Sequence, residues 1–302
     1  MSTKIKSILV TSVAPLSDHA ANRGEKLLGN ASSVKHRPDG RVYISGQMQR
    51  HVLFSALERL NEDDPNRGKT YVANGDGPST DISTDLRSDL GGFLDTNKGD
   101  YSGRRIAPIS ATPAVAQEKS SIGRDLLIRL KMNRDEDSTK KQALATNEFS
   151  VRDEMVMNFH LDVGMVGMKK LYEYNNEYHV GTKYISEISD DEHARRVRLF
   201  LESTGAMTDF ANQARNAVSG EPHKVLIVLD TKFSRKAVRY FQTETTDEER
   251  KNILDELKSR GALVFLGDDT TSEGDSVAQA YAKAMKELEI NKLYRPPHDK
   301  VV

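Results

Sequence analysis

The chain has 302 residues, enough for one large domain or two modest ones with a substantial core. Its net charge of −1 gives no global signature of a nucleic-acid binder, and with no cysteine it has no disulfide, thiolate zinc site or thiol nucleophile. The apolar run near the N-terminus is too short for a secretory signal, and no run reaches membrane-spanning length; the expectation is a cytoplasmic protein with no membrane partner.

Ile5–Val13 reads as a buried strand rich in β-branched residues, ended by Pro15. Asn22–Asp39 is a Gly-, Asn- and Ser-rich loop carrying Arg23, Lys26, Lys35, His36 and Arg37. A short strand, Arg41–Ile44, leads into a helix over Gln47–Leu60, with Ser45 placed to cap its first turn. Val52, Leu53, Ala56, Leu57 and Leu60 form the stripe that buries, which leaves Gln47, Gln49, Arg50 and Arg59 for other faces. From Asn22 to His51 there are six Lys/Arg and two Asp/Glu, a local charge of +4. Cations, backbone N–H groups and a helix N-terminus in one stretch are what an anion site needs.

Asn61–Tyr101 is dense in Asp, Asn, Gly and Pro, without a period, and reads as a long insertion. Arg104–Ala116 returns to extended structure, with Pro108 and Pro113 pointing to an edge or bulged strand. Residues 117–151 read as a projecting hairpin with a polar tip. Arg104–Lys141 holds nine bases and five acids, net +4. Met155, Met157, Phe159, Leu161 and Val163 alternate with polar residues along a half-buried strand, which puts His160 on its polar face. Ser189 opens a helix burying Val197, Phe200 and Leu201, continued over Thr208–Ala217 by a second helix. Lys224–Asp230 is a continuous apolar run, a central strand. Thr246 caps a helix ending at Gly261, Ala262–Leu266 is a strand, Ser276–Glu289 is a helix, and Arg295–Val302 is a frayed tail.

This order, strand 5–13, helix 47–60, strand 104–116, strand 154–163, helix 190–217 and strand 224–230, is βαββαβ. It defines an α+β fold with a ferredoxin-like or RRM-type core. One domain spans 1–302, with insertions at 61–103 and 117–151 and a C-terminal α/β extension over 231–302.

Several motif fragments fall short of chemistry. Gly68-Lys69-Thr70 lacks the first glycine and the preceding strand of a P-loop. Asn74–Gly77 and Asp268-Asp269 do not continue as cation loops and read as turns. The eight histidines show no zinc spacing, and no nucleophile elbow occurs. Asp190-Asp191 and Glu248-Glu249 sit in helix first turns, where the macrodipole favours them. What remains is positive charge on two segments.

The segments NRGE, GN, DG, YISGQ and RHVLFSAL between residues 22 and 57 resemble the repeated backbone subunit of type I CRISPR Cascade complexes. The likeness is to the seventh Cas family in its DevR-type autoregulator branch, of a type I-B-like subtype, and three later stretches fit it too. They are DLGGFLDT with GRRIAPISATPAVA (89–116), NEFSVRDEMVMNFHLDVGMVG (147–167) and ANQARNAV (211–218). The resemblance implies a palm that holds guide RNA phosphates and a thumb hairpin that folds over the RNA and displaces a base. It implies a filament of copies along one guide, whose exposed bases pair with a target DNA strand. Other Cascade subunits would adjoin it: a large subunit, a 5′-end cap subunit and an RNA-processing subunit. The service is antiviral defence or RNA-guided transposition. The candidate RNA contacts are Asn22, Arg23, Lys26, Lys35, His36, Arg37, Gln47, Gln49, Arg50, Arg104, Arg105, Asn212 and Arg215. On the thumb they are Arg124, Arg129, Lys131, Met132, Arg134, Lys140 and Lys141. No cofactor, metal or catalytic residue is expected. Two alternatives stay open: an RNA-cleaving type III-like paralogue and a stand-alone nucleic-acid-binding autoregulator. The cleaving paralogues carry an Asp in the loop before the ISG-like turn. This chain has Asn30, Ala31, Ser32 and Ser33 there, with Asp39 the nearby carboxylate.

Overall fold

The residues of SILVTSVAPLSDH alternate between two faces of one long strand, β1 (Ser7–His19), and both faces are buried over its first half. This is a computed structural model, and it describes residues 4–27, 31–77, 79–94, 104–130 and 142–300. The other core elements are α1 (Gly46–Asp63), α2 (Leu86–Gly91) and the hairpin strands β2 (Ile122–Leu130) and β3 (Gln142–Asp162). They continue with α3 (Asp190–Ser203), β4 (Lys224–Asp230), α4 (Asp247–Ser259), β5 (Leu263–Asp268) and α5 (Val277–Ile290). β1 lies between β4 and β3, antiparallel to both. The short strands Ile109–Ala111 and Ala114–Ala116 pair antiparallel with the far edge of β3. With α1 and α3 packed on one face, this is the βαββαβ ferredoxin-like order of an α+β protein, and β5 adds a strand outside β4.

The two faces have separate cores. Ile8, Val10, Ala14, Met155, Met157, Phe159, Val225 and Ile227 pack against Val52, Leu53 and Leu57 of α1 and Val197 and Phe200 of α3, with Ala280 and Ala284 of α5. Leu9, Leu226 and Val228 on the opposite face pack against Ala237, Tyr240, Ile253 and Leu257. The C-terminal portion therefore covers much of the second face.

Several sequence expectations need correction. Pro15 does not end β1. β4 pairs β1 only from Ser7 to Val13, so the missing N–H of Pro15 costs no bond on the β4 side, and the strand runs on against Glu154. The helix expected over 190–217 stops at Ser203. Residues 208–217 form no helix, only turns over 211–215, with Asn212 at φ 65°. The expected strand 104–116 is three short pieces. The Asn22–Asp39 loop contains a hairpin, Arg23–Leu27 with Ala31–Val34. A second hairpin, Met168–Asn175 with Tyr178–Ser186, has no counterpart in the sequence reading. The tail is tied down, because Lys292–Leu293 pairs with Lys4–Ile5 and Asp299–Lys300 with Ile185–Ser186.

The insertion after α1 is also more than a solvated loop. Val72, Leu86 and Leu90 join the main core. Asp85 caps α2, and Gly92 at φ 71° ends it, where a Cβ would stand 2.5 Å from the Arg105 carbonyl oxygen. Two arginines of α3 hold the insertion down. Arg196 is fully buried and reaches Asp89 and Glu192 (2.6 Å each), donating also to the carbonyls of Ile82 and Ser83. Arg195 binds Glu192, Asp64, Asn61 and Thr70.

Two buried histidines give the fold a pH signature. His160 is not on an open polar face: it is 2% exposed, and its ring meets Phe233 edge-on at 4.7 Å. Burial, with Arg235 nearby, pushes it down to about 4. Burial does the same to His193, also to about 4, although the ring bonds the Val163 carbonyl at 2.8 Å. Unfolded imidazoles take up protons near pH ~6.5, whereas these two stay neutral in the fold until about 4. Their contribution is full above pH ~6.5 and is lost as pH falls from there towards 4. The expected loss is on the order of a few kcal/mol by pH ~4.5, read from urea unfolding at a series of pH values. His160→Phe should flatten that slope, and an unchanged slope would contradict the assignment.

Candidate nucleic-acid interface

Three segments far apart in sequence meet where β1 ends. The backbone leaves β1 through Asp18 at φ 48° and passes Ala20 to Asn22. Asn216 donates to the Asp18 carbonyl (2.6 Å) and Asn212 to the Ala20 carbonyl (2.7 Å), which docks the 208–217 turns against this exit. Asn22 donates through Nδ2 to the Tyr43 carbonyl (2.8 Å), and its own carbonyl accepts from Lys35 N–H. The hairpin root completes the junction. Ser120 N–H donates to the Gly40 carbonyl, Val42 N–H to Ser120 Oγ (3.0 Å), and Val34 N–H to Glu148 (3.3 Å).

A buried triplet lies beneath. His19 bonds Asp153 at 2.7 Å, and the Ser120 hydroxyl donates to the other Asp153 oxygen. Asp153 sits between the two, so the imidazole does not bond the serine oxygen, and a nucleophile–base pair is not formed. The carboxylate instead locks the hairpin root to the end of β1.

The expected contact residues divide by what their side chains already do. Lys35 and Arg37 are half-buried and carry no ion pair among the described residues; His36, Gln47, Arg104 and Arg215 are exposed. Arg124 is exposed but paired with Glu148 at 3.0 Å. Five others are committed to the fold. Asn22 is buried in the bonds given above. Gln49, expected on an outer face, is fully buried, because this part of α1 is covered on more than its apolar stripe. Arg50 donates to the Gly91 carbonyl, and burial lowers its pKa. Arg105 binds Asp89 and the carbonyls of Met165 and Met168. Asn212 spends its amide on Ala20. The side chains of Arg23, Lys26, Arg129, Lys131, Met132, Arg134, Lys140 and Lys141 lie outside the described residues.

β2 and β3 pair in continuous register from Ile122↔Ser150 to Leu130↔Gln142, so the hairpin is an extension of the core strand β3. Gly123 lies under the Phe149 ring, where an added Cβ would stand 2.4 Å from the ring. The sequence reading missed Arg41, which pairs with Asp39 and with Glu244 (3.0 Å). It also missed the anchoring amide of Asn216, although ANQARNAV had drawn attention to that segment.

Among solved structures, a chain of a CRISPR RNA-guided surveillance complex is similar with a TM-score of 0.55 and 13% identity, over 96% of this chain and 95% of that one. A chain of a CRISPR RNA-guided surveillance complex, pre-nicking, is similar with a TM-score of 0.53 and 13% identity, over 96% of both. No family model and no curated protein matches the sequence. At this identity the likeness is one of fold. No helix among the described residues is long and apolar enough to cross a membrane.

Proposed function

We propose that this chain is the guide-RNA-binding backbone subunit of a CRISPR Cascade effector complex, of the seventh Cas family and its DevR-type branch. Copies polymerise along the guide in the cytoplasm and present it for pairing with target DNA. The observation that carries this reading is the near end-to-end likeness to chains of RNA-guided surveillance complexes. The junction at the end of β1 supports it: Lys35, Arg37 and Arg215 surround a bonded scaffold, with the hairpin rising beside them. Lysine and arginine on such a scaffold hold phosphates, and sequence reading is left to base pairing.

The subunit binds RNA and does not cut it. Asp39, the carboxylate nearest the turn that carries activity in cleaving paralogues, bonds the backbone and side chain of Arg41, and both bonds lower its pKa. Incubation of guide-bound protein with complementary RNA and Mg²⁺ should leave the RNA intact. Regular cuts abolished by Asp39→Ala would favour the cleaving alternative.

The direct test is purification of the expressed chain and sizing of any nucleic acid it carries. Short RNA of uniform length supports the proposal; tight binding of a monomer or dimer to one defined site would favour the autoregulator instead. Shortening Arg134–Lys141 to a tight turn should leave a folded monomer, since a polar tip adds little core. Guide-bound assemblies of that variant should be smaller by mass photometry. Full-size assemblies with an unchanged nuclease footprint would remove the thumb role.

A further inference from the structure

The junction described above occupies one end of the sheet. At the other end, where β3 stops at Asp162, about 30 Å beyond Asp153 at the rise of an extended strand, a cleft of about 470 Å³ opens. One wall is a short ladder of Phe93–Leu94 with Arg104–Arg105, and the other is the second hairpin, Met168–Asn175 with Tyr178–Ser186. Arg105 ties the two walls together, because its guanidinium binds Asp89 and also the carbonyls of Met165 and Met168. Asp162 lines the cleft between them, held by its own N–H on the Pro108 carbonyl at 3.0 Å.

The walls supply three kinds of group. In the hairpin register Lys170 stands opposite Tyr184, and Tyr172 follows two residues on, so the three share one face. Both tyrosines line the cleft with Phe93, and Lys170 Nζ lies 5.0 Å from the centre of the Tyr172 ring. Arg104, expected from the sequence beside the guide, lies here instead, exposed and without an ion pair among the described residues. Asp162 is half-buried and has no ion pair among the described residues either. Its Oδ1 accepts from Gly164 N–H at 3.1 Å. Burial raises its pKa against the opposing pull of the Gly164 and Met165 N–H groups and of Arg235, so the ionised carboxylate is short of donors.

Aromatic rings, a carboxylate short of donors and unpaired cations share one space of mononucleotide size. The rings suit a flat base, and the cations suit a phosphate. The carboxylate suits two adjacent N–H donors, which guanine presents at N1 and N2. Adenine has an acceptor at N1 and repels a carboxylate there. We propose that this cleft binds one guanine nucleotide, its base against Tyr172 and Tyr184 with N1–H and N2–H on Asp162, and its phosphate at Arg104 and Lys170. The site goes beyond the guide-binding function and does not depend on it. The same hairpin face runs on past the cleft through Tyr174 and His179, whose ring centres are 5.8 Å apart, a surface on which a following base can stack. The nucleotide therefore arrives either free or as part of a single strand.

The test uses the full chain in isothermal titration calorimetry with GMP, AMP and two DNA pentanucleotides, TTGTT and TTATT. The pentanucleotides are measured in the Lys35→Ala, Arg37→Ala chain, so that the junction does not mask the cleft. Guanine should bind about tenfold more tightly than adenine, the effect of one good charged contact. A preference shown by the mononucleotides assigns the cleft to a free nucleotide, and one shown only by the pentanucleotides assigns it to a strand. Asp162→Asn keeps an oxygen for Gly164 N–H but loses the carboxylate, and should bring the two bases within about twofold of each other. Tyr172→Ala should weaken both bases alike, by about tenfold, through lost stacking. Thermal melting checks that both variants fold, and their affinity for guide-length RNA should stay within about twofold of wild type, because the junction lies at the other end of the sheet. Equal binding of guanine and adenine by wild type, or a preference untouched by Asp162→Asn, would overturn the site. So would the absence of binding by any of these probes up to about 1 mM; binding of N-acetylarginine amide in their place would assign the cleft to an arginine of a protein partner. A chain that shows the guanine preference but carries no guide RNA would remove the proposed function and leave this site standing.

Discussion

Replacing Asp89 with alanine is expected to cost the fold about 3–5 kcal/mol, the range for breaking a buried ion pair from one side. Asp89 is fully buried and meets Arg196, Arg105 and the Gly167 N–H. Its loss strands two buried guanidiniums, one of them with no exposed surface at all. The same carboxylate joins four parts of the chain: α2, the segment after the insertion, the end of β3 and α3. The insertion carrying Val72, Leu86 and Leu90 should therefore loosen first. Urea unfolding gives the size of the effect, and hydrogen exchange gives its location. A loss below about 1 kcal/mol, the typical change for an ordinary substitution, would mean that the network is not the clamp described here.

The second large effect is on RNA. Lys35→Ala combined with Arg37→Ala should weaken binding by about tenfold or more per lost phosphate contact, whatever the guide sequence. It should also lower the slope of log affinity against log salt by about 1.4, since each single-strand phosphate contact contributes about 0.7. These two residues are the informative pair because neither is used by the fold as an ion-pair partner among the described residues. Arg50 and Arg105 would mislead. Their guanidiniums bond backbone and carboxylate groups inside the protein, so alanine there changes stability before it changes contacts. An unchanged salt slope in the double variant would show that the palm phosphates are held elsewhere.

Much of the core was legible before any coordinates. The strands around Ile5–Val13, Met155–Val163 and Lys224–Asp230 announce themselves by apolar alternation or continuity, and α1, α4 and α5 by capping residues and period-3.6 stripes. Thr246 with Glu249 forms the capping box its spacing implies, and Gly261 ends α4 at φ 80°. These are local signals, decided within about one turn or one strand of sequence.

What the tertiary structure decided has a different physical origin. Whether Arg105 faces RNA or Asp89 depends on a carboxylate sixteen residues away and on α3, not on the basic run around it. Gln49 and His160 look polar and available in sequence, yet packing from other elements closes over both. The Gly-, Asn- and Ser-rich loop after β1 becomes a hairpin because Ala31–Val34 finds the edge of β3, with Ser32 opposite Asn147. Turn-rich composition does not forbid such pairing. The turns after α3 are held by Asn212 and Asn216 reaching back to the end of β1, across almost two hundred residues. Short-range sequence patterns determine which segments are strands and helices. Long-range burial and hydrogen bonding determine which cations are left free to meet a phosphate.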